Sequence, residues 1–218
     1  LLTVLVQAGL TDNSFAGTLP SALRTWQGAK VLDLSRNYFE GAIPGLMDVQ
    51  TFYIDHNHLA GSIPKQLLEA RGILQKVVVA GELSLEGTIP DSASRMTIQE
   101  VILSLGHGLV GVLPRIPGTV STLSLWENGL EGHMPELQIH ESSVILAHAN
   151  VFSCNLPRNG EVELKSSHAS LALIGNHFAA SPQIPPWITR AERPSDMFCV
   201  SNQQCKHFLM FLACGGCL

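Results

Sequence analysis

Polar and apolar positions alternate in short bursts along this chain, and most bursts end on an asparagine. In VLDLSRNYFEGAIP, Val31 to Pro44, Leu32 and Leu34 alternate with Asp33 and Ser35; Asn37 follows, and Phe39, Gly41 and Ile43 come at two-residue steps before Pro44. Alternation of period two predicts a short strand with one face turned inward. The same frame fits Leu5, Ala8, Leu10, Asn13, Phe15, Gly17, Leu19 and Pro20. It fits Val49, Phe52, Ile54, Asn57, Leu59, Gly61, Ile63 and Pro64, and again Val120, Leu123, Leu125, Asn128, Leu130, Gly132, Met134 and Pro135. Looser copies run through Ile145, Ala147, Asn150, Phe152, Leu156 and Pro157, with Cys154 in the glycine position, and through Leu171, Leu173, Asn176, Phe178, Ile184 and Pro185.

Two copies between Pro64 and Pro135 break the frame. LQKVVVAGELSLEGTIP and IQEVILSLGHGLVGVLP each carry one extra residue between strand and glycine, and they are expected to put Leu83 and His107 in the asparagine column. Eight units result, spaced about 20 to 26 residues, a period that predicts a solenoid of stacked repeats.

The frame L-x-x-L-x-L-x-x-N-x-L-x-G-x-I-P, carried by Leu32, Leu34, Asn37, Phe39, Gly41, Ile43 and Pro44 and by their copies, resembles the plant-type leucine-rich repeat. That family includes receptor-kinase ectodomains, receptor-like proteins, polygalacturonase-inhibiting proteins and many protist and algal proteins. The resemblance implies an α/β solenoid, a right-handed superhelix with a concave parallel sheet and a convex side of loops and 3-10 turns. It covers residues 1–190, leaving 191–218 as a C-terminal cap or juxtamembrane tail.

Physical chemistry assigns the repeated positions their tasks. Parallel strands stack about 4.8 Å apart, so eight of them make a ladder roughly 35 Å long. Asn13, Asn37, Asn57, Asn128, Asn150 and Asn176 are structural: a side-chain amide at the strand-to-loop corner can satisfy backbone groups that would otherwise be orphaned. The glycines Gly17, Gly41, Gly61, Gly87, Gly111 and Gly132 admit backbone geometry that a side chain obstructs. Each proline ends the second extended segment and keeps the convex helix short. No repeat buries its apolar edge alone, so stability is a sum over neighbours.

Composition narrows the function. Charged residues are only 14% and apolar residues 45%, which argues for an ordered, strongly buried chain. The net charge of −5, with 13 unclustered Lys and Arg, gives no footprint for nucleic acid. The start LLTVLVQAGL reads as a strand within a repeat rather than as a signal peptide, and the chain contains no Asn-x-Ser/Thr sequon.

Several patterns that suggest chemistry dissolve into the frame. Asp55, His56, Asn57 and His58 look like ligands or a His-Asn-His nuclease. Asn57 is scaffold, however, a zinc site needs three or four ligands, and GSIPKQL downstream is another repeat. GHGLVG, Gly106 to Gly111, is a literal G-x-G-x-x-G, but VLPRIPG follows it, and Pro114 and Pro117 forbid the helix that a phosphate loop requires. No metal, cofactor or catalytic constellation is expected, and the chain is read as a non-enzyme. The tail leaves alternatives open. Cys199 and Cys205 are candidates for a capping disulfide, FLMFLACGGCL after residue 207 for the start of a membrane attachment, and the four cysteines with His207 for zinc. Cys154 reads as a small buried residue, and Trp187 as a plug at the end of the core.

The residues free to recognise a partner are the outward ones on the concave strands. Repeat two offers Lys30, Asp33, Ser35 and Arg36; repeat three offers Thr51, Tyr53, Asp55 and His56. The middle repeats offer the bland Val78, Ala80 and Ile102, and the later ones Ser124, Trp126, Glu127, Leu146 and His148. Tyr, Trp and Arg are frequent interface anchors. The partner-binding set is therefore Arg36, Tyr53, Asp55, His56, Trp126, Glu127 and His148. The expected function is recognition of a protein or peptide, as the extramembrane part of a larger membrane protein. The alternatives are an inhibitor of a secreted hydrolase and a structural subunit of a large assembly.

Overall fold

A computed structural model describes residues 7–25, 30–45, 49–69, 73–135, 137, 143–154, 170–172, 176–178 and 198–199. Each apolar alternation forms a short strand: Gln7–Gly9, Val31–Asp33, Thr51–Tyr53, Lys76–Val78, Glu100–Ile102, Thr122–Ser124, Val144–Leu146 and Ser170–Ala172, one per repeat. They stack in that order into one parallel inner sheet, which Phe198–Cys199 extends by a ninth strand. The register advances one repeat per strand. Ala8, Leu32, Phe52, Val77, Val101, Leu123 and Ile145 pair in succession, and from Leu32 onward this row is buried.

Four apolar rows fill the space behind the sheet: the residues eight, five and three before each asparagine, and the one two after it. Val49, Phe52, Ile54 and Leu59 of repeat three are all fully buried. Burying such side chains stabilises by about 1.5–3 kcal/mol each, and every one is packed between the repeats before and after. The solenoid core is thus continuous although no single repeat contains one.

The second extended segments pair laterally, but not as a single sheet. Ala16–Thr18, Tyr38–Gly41, His58–Gly61 and Ser84–Leu85 form a four-stranded sheet, whereas Gly87–Thr88, Leu109–Val112, Gly129–Gly132, Val151–Cys154 and His177–Phe178 form a five-stranded one. The division falls inside repeat four, at Glu86. The repeat glycines sit at positive φ, from +78° at Gly41 to +91° at Gly87. Helix is brief, as the prolines require. Ser21–Thr25 and Asp91–Arg95 are 3-10 turns and Lys65–Leu68 is a single α-turn, each following a repeat proline.

The asparagines form a ladder. The Asn57 Nδ2 donates to the carbonyl oxygens of Leu34 in the preceding repeat and Ile54 in its own. Its Oδ1 accepts the Phe39 N–H at 3.0 Å. Asn37, Asn150 and Asn176 repeat this pattern, accepting from Phe15, Leu130 and Phe152. Each amide therefore ties one repeat to the one before it. Among the described residues Asn13, in the first unit, bonds its own loop carbonyls, Leu10 and Thr11.

Repeats four and five correct the sequence reading. Leu83 is not in the asparagine column but 76% exposed, and the column is occupied by Glu82, 1% exposed. Six residues separate the first strand residue from the column in every repeat, which puts Glu82 six after Lys76 and Gly106 six after Glu100. The extra residue enters after the column, not before it, so Leu83 and His107 are pushed outward. Glu82 takes over the acceptor half of the amide's work: Oε1 accepts the Asn57 N–H at 2.6 Å and Oε2 the Leu59 N–H at 2.9 Å.

Among the described residues no helix is long and apolar enough to cross a membrane. Trp187, Cys205 and everything after residue 207 lie outside the described residues, as does any pairing of Cys199 with Cys205.

Candidate functional site

The concave face is built by the outward residues of the inner strands and by the two residues that follow each strand's inward pair. Three rows cross it. The first runs Val31, Thr51, Lys76, Glu100, Thr122 and Val144; the second Asp33, Tyr53, Val78, Ile102, Ser124 and Leu146. The third, two before the column, runs Ser35, Asp55, Ala80, Ser104, Trp126 and His148. Arg36, His56 and Glu127 lie one step further on, each with φ between +54° and +56°. Asp12 and Ala149 share that left-handed conformation, so it belongs to the turn of the repeat and marks no special site.

The sequence-predicted residues fall into two groups. In the first, Asp55 is the hub: its Oδ1 accepts the Ser35 hydroxyl at 2.7 Å, and its Oδ2 lies 2.8 Å from His56 Nδ1. The Asp55 side chain is only 17% exposed, so hydrogen bonds hold its carboxylate in a fixed direction. Tyr53 lies beside it in the strand, with Lys76 Nζ 5.5 Å from its ring centre. Arg36 stands at the rim, 63% exposed, its guanidinium 3.9 Å from Asp12. An exposed pair at that distance contributes little to stability and leaves the guanidinium available.

The second group surrounds Trp126. Its ring stacks on that of His148 with centroids 5.1 Å apart and planes 12° from parallel. Burial lowers the His148 pKa below the usual histidine value, partly opposed by the Glu127 carboxylate. At neutral pH the stack is therefore an uncharged aromatic platform. Glu127 at its edge faces His107 Nε2 at 3.8 Å.

Between the groups Val78, Ala80 and Ile102 form an apolar patch, bordered by Lys76 and Glu100 of the first row. The structure adds one feature that sequence reasoning passed over. Lys76 and Glu100 form an ion pair of 2.6 Å across adjacent strands, and the hydrogen bond to Glu100 raises the Lys76 pKa above the ordinary lysine value despite partial burial. Counting strand positions would have found this pair, because their row begins at Val31. Lys30, taken from sequence as outward, precedes the strand. Among the described residues no three His, Cys, Asp or Glu side chains gather as metal ligands.

No protein-family model matches the chain. Receptor-like protein 53 of Arabidopsis thaliana is 30% identical over 159 residues, 67% of this chain. The chain spans 16% of the length of the curated relatives it matches. Among solved structures, a TDR receptor superposes over 90% of this chain and 38% of its own, with a TM-score of 0.67 at 21% identity. The Arabidopsis receptor kinase HAESA, in complex with the peptide hormone IDA and the co-receptor SERK1, matches over 88% of this chain and 42% of its own, with a TM-score of 0.51 at 24% identity. Frame, register and relatives agree: the chain is a plant-type leucine-rich-repeat protein.

Proposed function

We propose that this chain is a non-catalytic recognition module that binds an extended peptide, or a peptide-like loop of a protein, across its concave face. The observation that carries this reading is the arrangement of two directed polar and aromatic groups on either side of the Val78, Ala80 and Ile102 patch. The Tyr53 strand and the Trp126 strand are three steps apart, about 14 Å at the usual strand spacing. An extended chain advances about 3.3 Å per residue, so roughly four residues span the gap. The first group sets Asp12, Asp33 and Asp55 against Arg36, a net negative end suited to a basic ligand residue. The Trp126–His148 platform suits an aromatic or aliphatic residue at the other end. That the structurally similar HAESA is in complex with a peptide hormone supports a peptide as the ligand class.

Selection from a random peptide library tests it. The enriched peptides are expected to carry a basic residue four to five positions from an aromatic or aliphatic one, and to lose at least tenfold in affinity on Trp126→Ala and on Asp55→Asn. Peptides that bind both variants undiminished would remove the concave face from consideration.

A second reading, as a subunit of a larger assembly, is favoured by the lateral sheet. Val110 and Val112 (61% exposed) and Val151 leave apolar side chains open on nearby lateral strands. Light scattering separates the two: a monomer over a wide concentration range counts against the assembly.

A further inference from the structure

We infer that the break in the asparagine ladder across repeats four to six holds one ordered water molecule, bound by hydrogen bonds it donates to Asn128 Oδ1 and to the acceptors beside it. In the regular steps the column Oδ1 accepts the N–H two residues beyond the preceding column position, as Asn150 does from Leu130. For Asn128 that donor would be Gly108, but the extra residue of repeat five carries the Gly108 backbone away against the Leu85 carbonyl. The Asn128 Oδ1 is left fully buried and without a partner.

The amide cannot solve this by turning over. Its Nδ2 donates to the Leu103 carbonyl at 2.8 Å and the Leu125 carbonyl at 3.0 Å, so a flip would set oxygen against oxygen twice. The neighbouring column positions offer no donor either. Glu82 and Gly106 stand where asparagine amides would bond the carbonyl of Val79, the residue equivalent to Leu34 and Leu125, and neither carries a side-chain N–H. The Glu82 carboxylate already accepts two backbone N–H groups, and the Ser104 hydroxyl shares a hydrogen bond of 2.7 Å with Ser124 in which either can donate. A cavity of about 10 Å3 opens among Val79, Glu82, Ser104, Gly106 and Asn128.

That volume sits at the lower limit for one ordered water, and such waters occupy sites with two to four polar partners. Water brings two donors to a wall of acceptors. A monovalent cation would need a full shell of oxygens, whereas Ile63, Leu85, Leu103 and Leu109 line much of the cavity. The site lies behind Ser104 of the third concave row, and the inference stands whether or not a peptide binds that face.

A high-resolution crystal structure of the chain, grown in sodium and then in rubidium salt, tests this directly. One water-sized peak within hydrogen-bonding distance of Asn128 Oδ1, with no anomalous rubidium signal, is the expected result. A cavity without density, or a rubidium peak, overturns the inference. Gly106→Ala gives an independent sign. Its Cβ would lie 3.3 Å from the Glu82 carbonyl oxygen and 3.6 Å from Asn128 Oδ1, inside the proposed site. Displacing a bonded water should lower Tm by a few degrees and erase the peak. Filling a dry void would instead raise Tm, and that result overturns the proposal. So does a lowered Tm when the wild-type map shows no peak, because the loss then belongs to the Glu82 contact.

Discussion

Asn150 ties three backbone carbonyls and one N–H, drawn from two repeats, through a single side chain. Asn150→Ala removes all four partners at once in a buried corner. We expect a loss of about 2–3 kcal/mol, since even one buried group left unpaired costs about 1–3; urea denaturation measures it. Glu82 serves a different chemistry at the same position. Burial raises its pKa above the ordinary value of about 4.5, against the pull of the Asn57 and Leu59 N–H groups and of His56 and His58. The folded chain therefore holds this proton more tightly than the unfolded chain. The resulting stabilisation is complete below the unfolded value and is lost as pH rises through the folded one. Glu82→Gln cannot titrate, so the stability of the wild type relative to this variant should fall as pH rises from about 4 and then level off. Thermal melts of both proteins across pH 4–8 check the sign. A gap that instead widens with pH would contradict a raised pKa.

The strands and turns obey two different constraints. The eight inner strands of the repeats are three residues long; the central residue and those flanking the strand enter the core, while the outward ones range from buried Ser124 to half-buried Tyr53. Phe52→Ala empties a fully buried position within such a strand and should cost about 3–5 kcal/mol. The bulged turn of repeat five is less forgiving in another way. A Cβ at Gly108 would be driven into the Leu85 carbonyl, and backbone cannot swing aside as a side chain does. Gly108→Ala should therefore destabilise more than Gly9→Ala, where nothing stands within 4 Å of the added carbon. Paired melting curves test the order, which is opposite to what loop position alone suggests.

Across the whole molecule, interactions run between neighbouring repeats, and damage should stay local. Asn57→Ala cuts the Asn57 amide's bonds to Leu34 and Phe39 of the preceding repeat. Hydrogen exchange in this variant should lose protection in repeats two to four and keep it around Leu123 and Ile145, as nearest-neighbour stability requires. Uniform loss along the chain would mean that the solenoid unfolds as one unit. The lateral sheet, divided inside repeat four, supplies a natural boundary for such local opening. The concave face bridges that boundary, with Tyr53 and Asp55 on one side and Trp126 and His148 on the other.

Sequence alone determined the solenoid, its inward rows and most of its ladder, because these features are periodic. A position repeated in eight units is read eight times, and Leu32, Phe52 and Leu123 announce one another. It also supplied the residues of the concave face, since outward positions follow once the frame is set. Single events were beyond it. The insertions in repeats four and five could be seen, but not whether they fell before or after the column, and the frame shifted by one residue to Leu83 and His107. Only the tertiary structure decided that Glu82 replaces an asparagine and that Trp126 lies flat on His148. Each of these depends on contact between repeats more than 20 residues apart, where steric fit and unpaired backbone N–H groups, not local pattern, choose the partner.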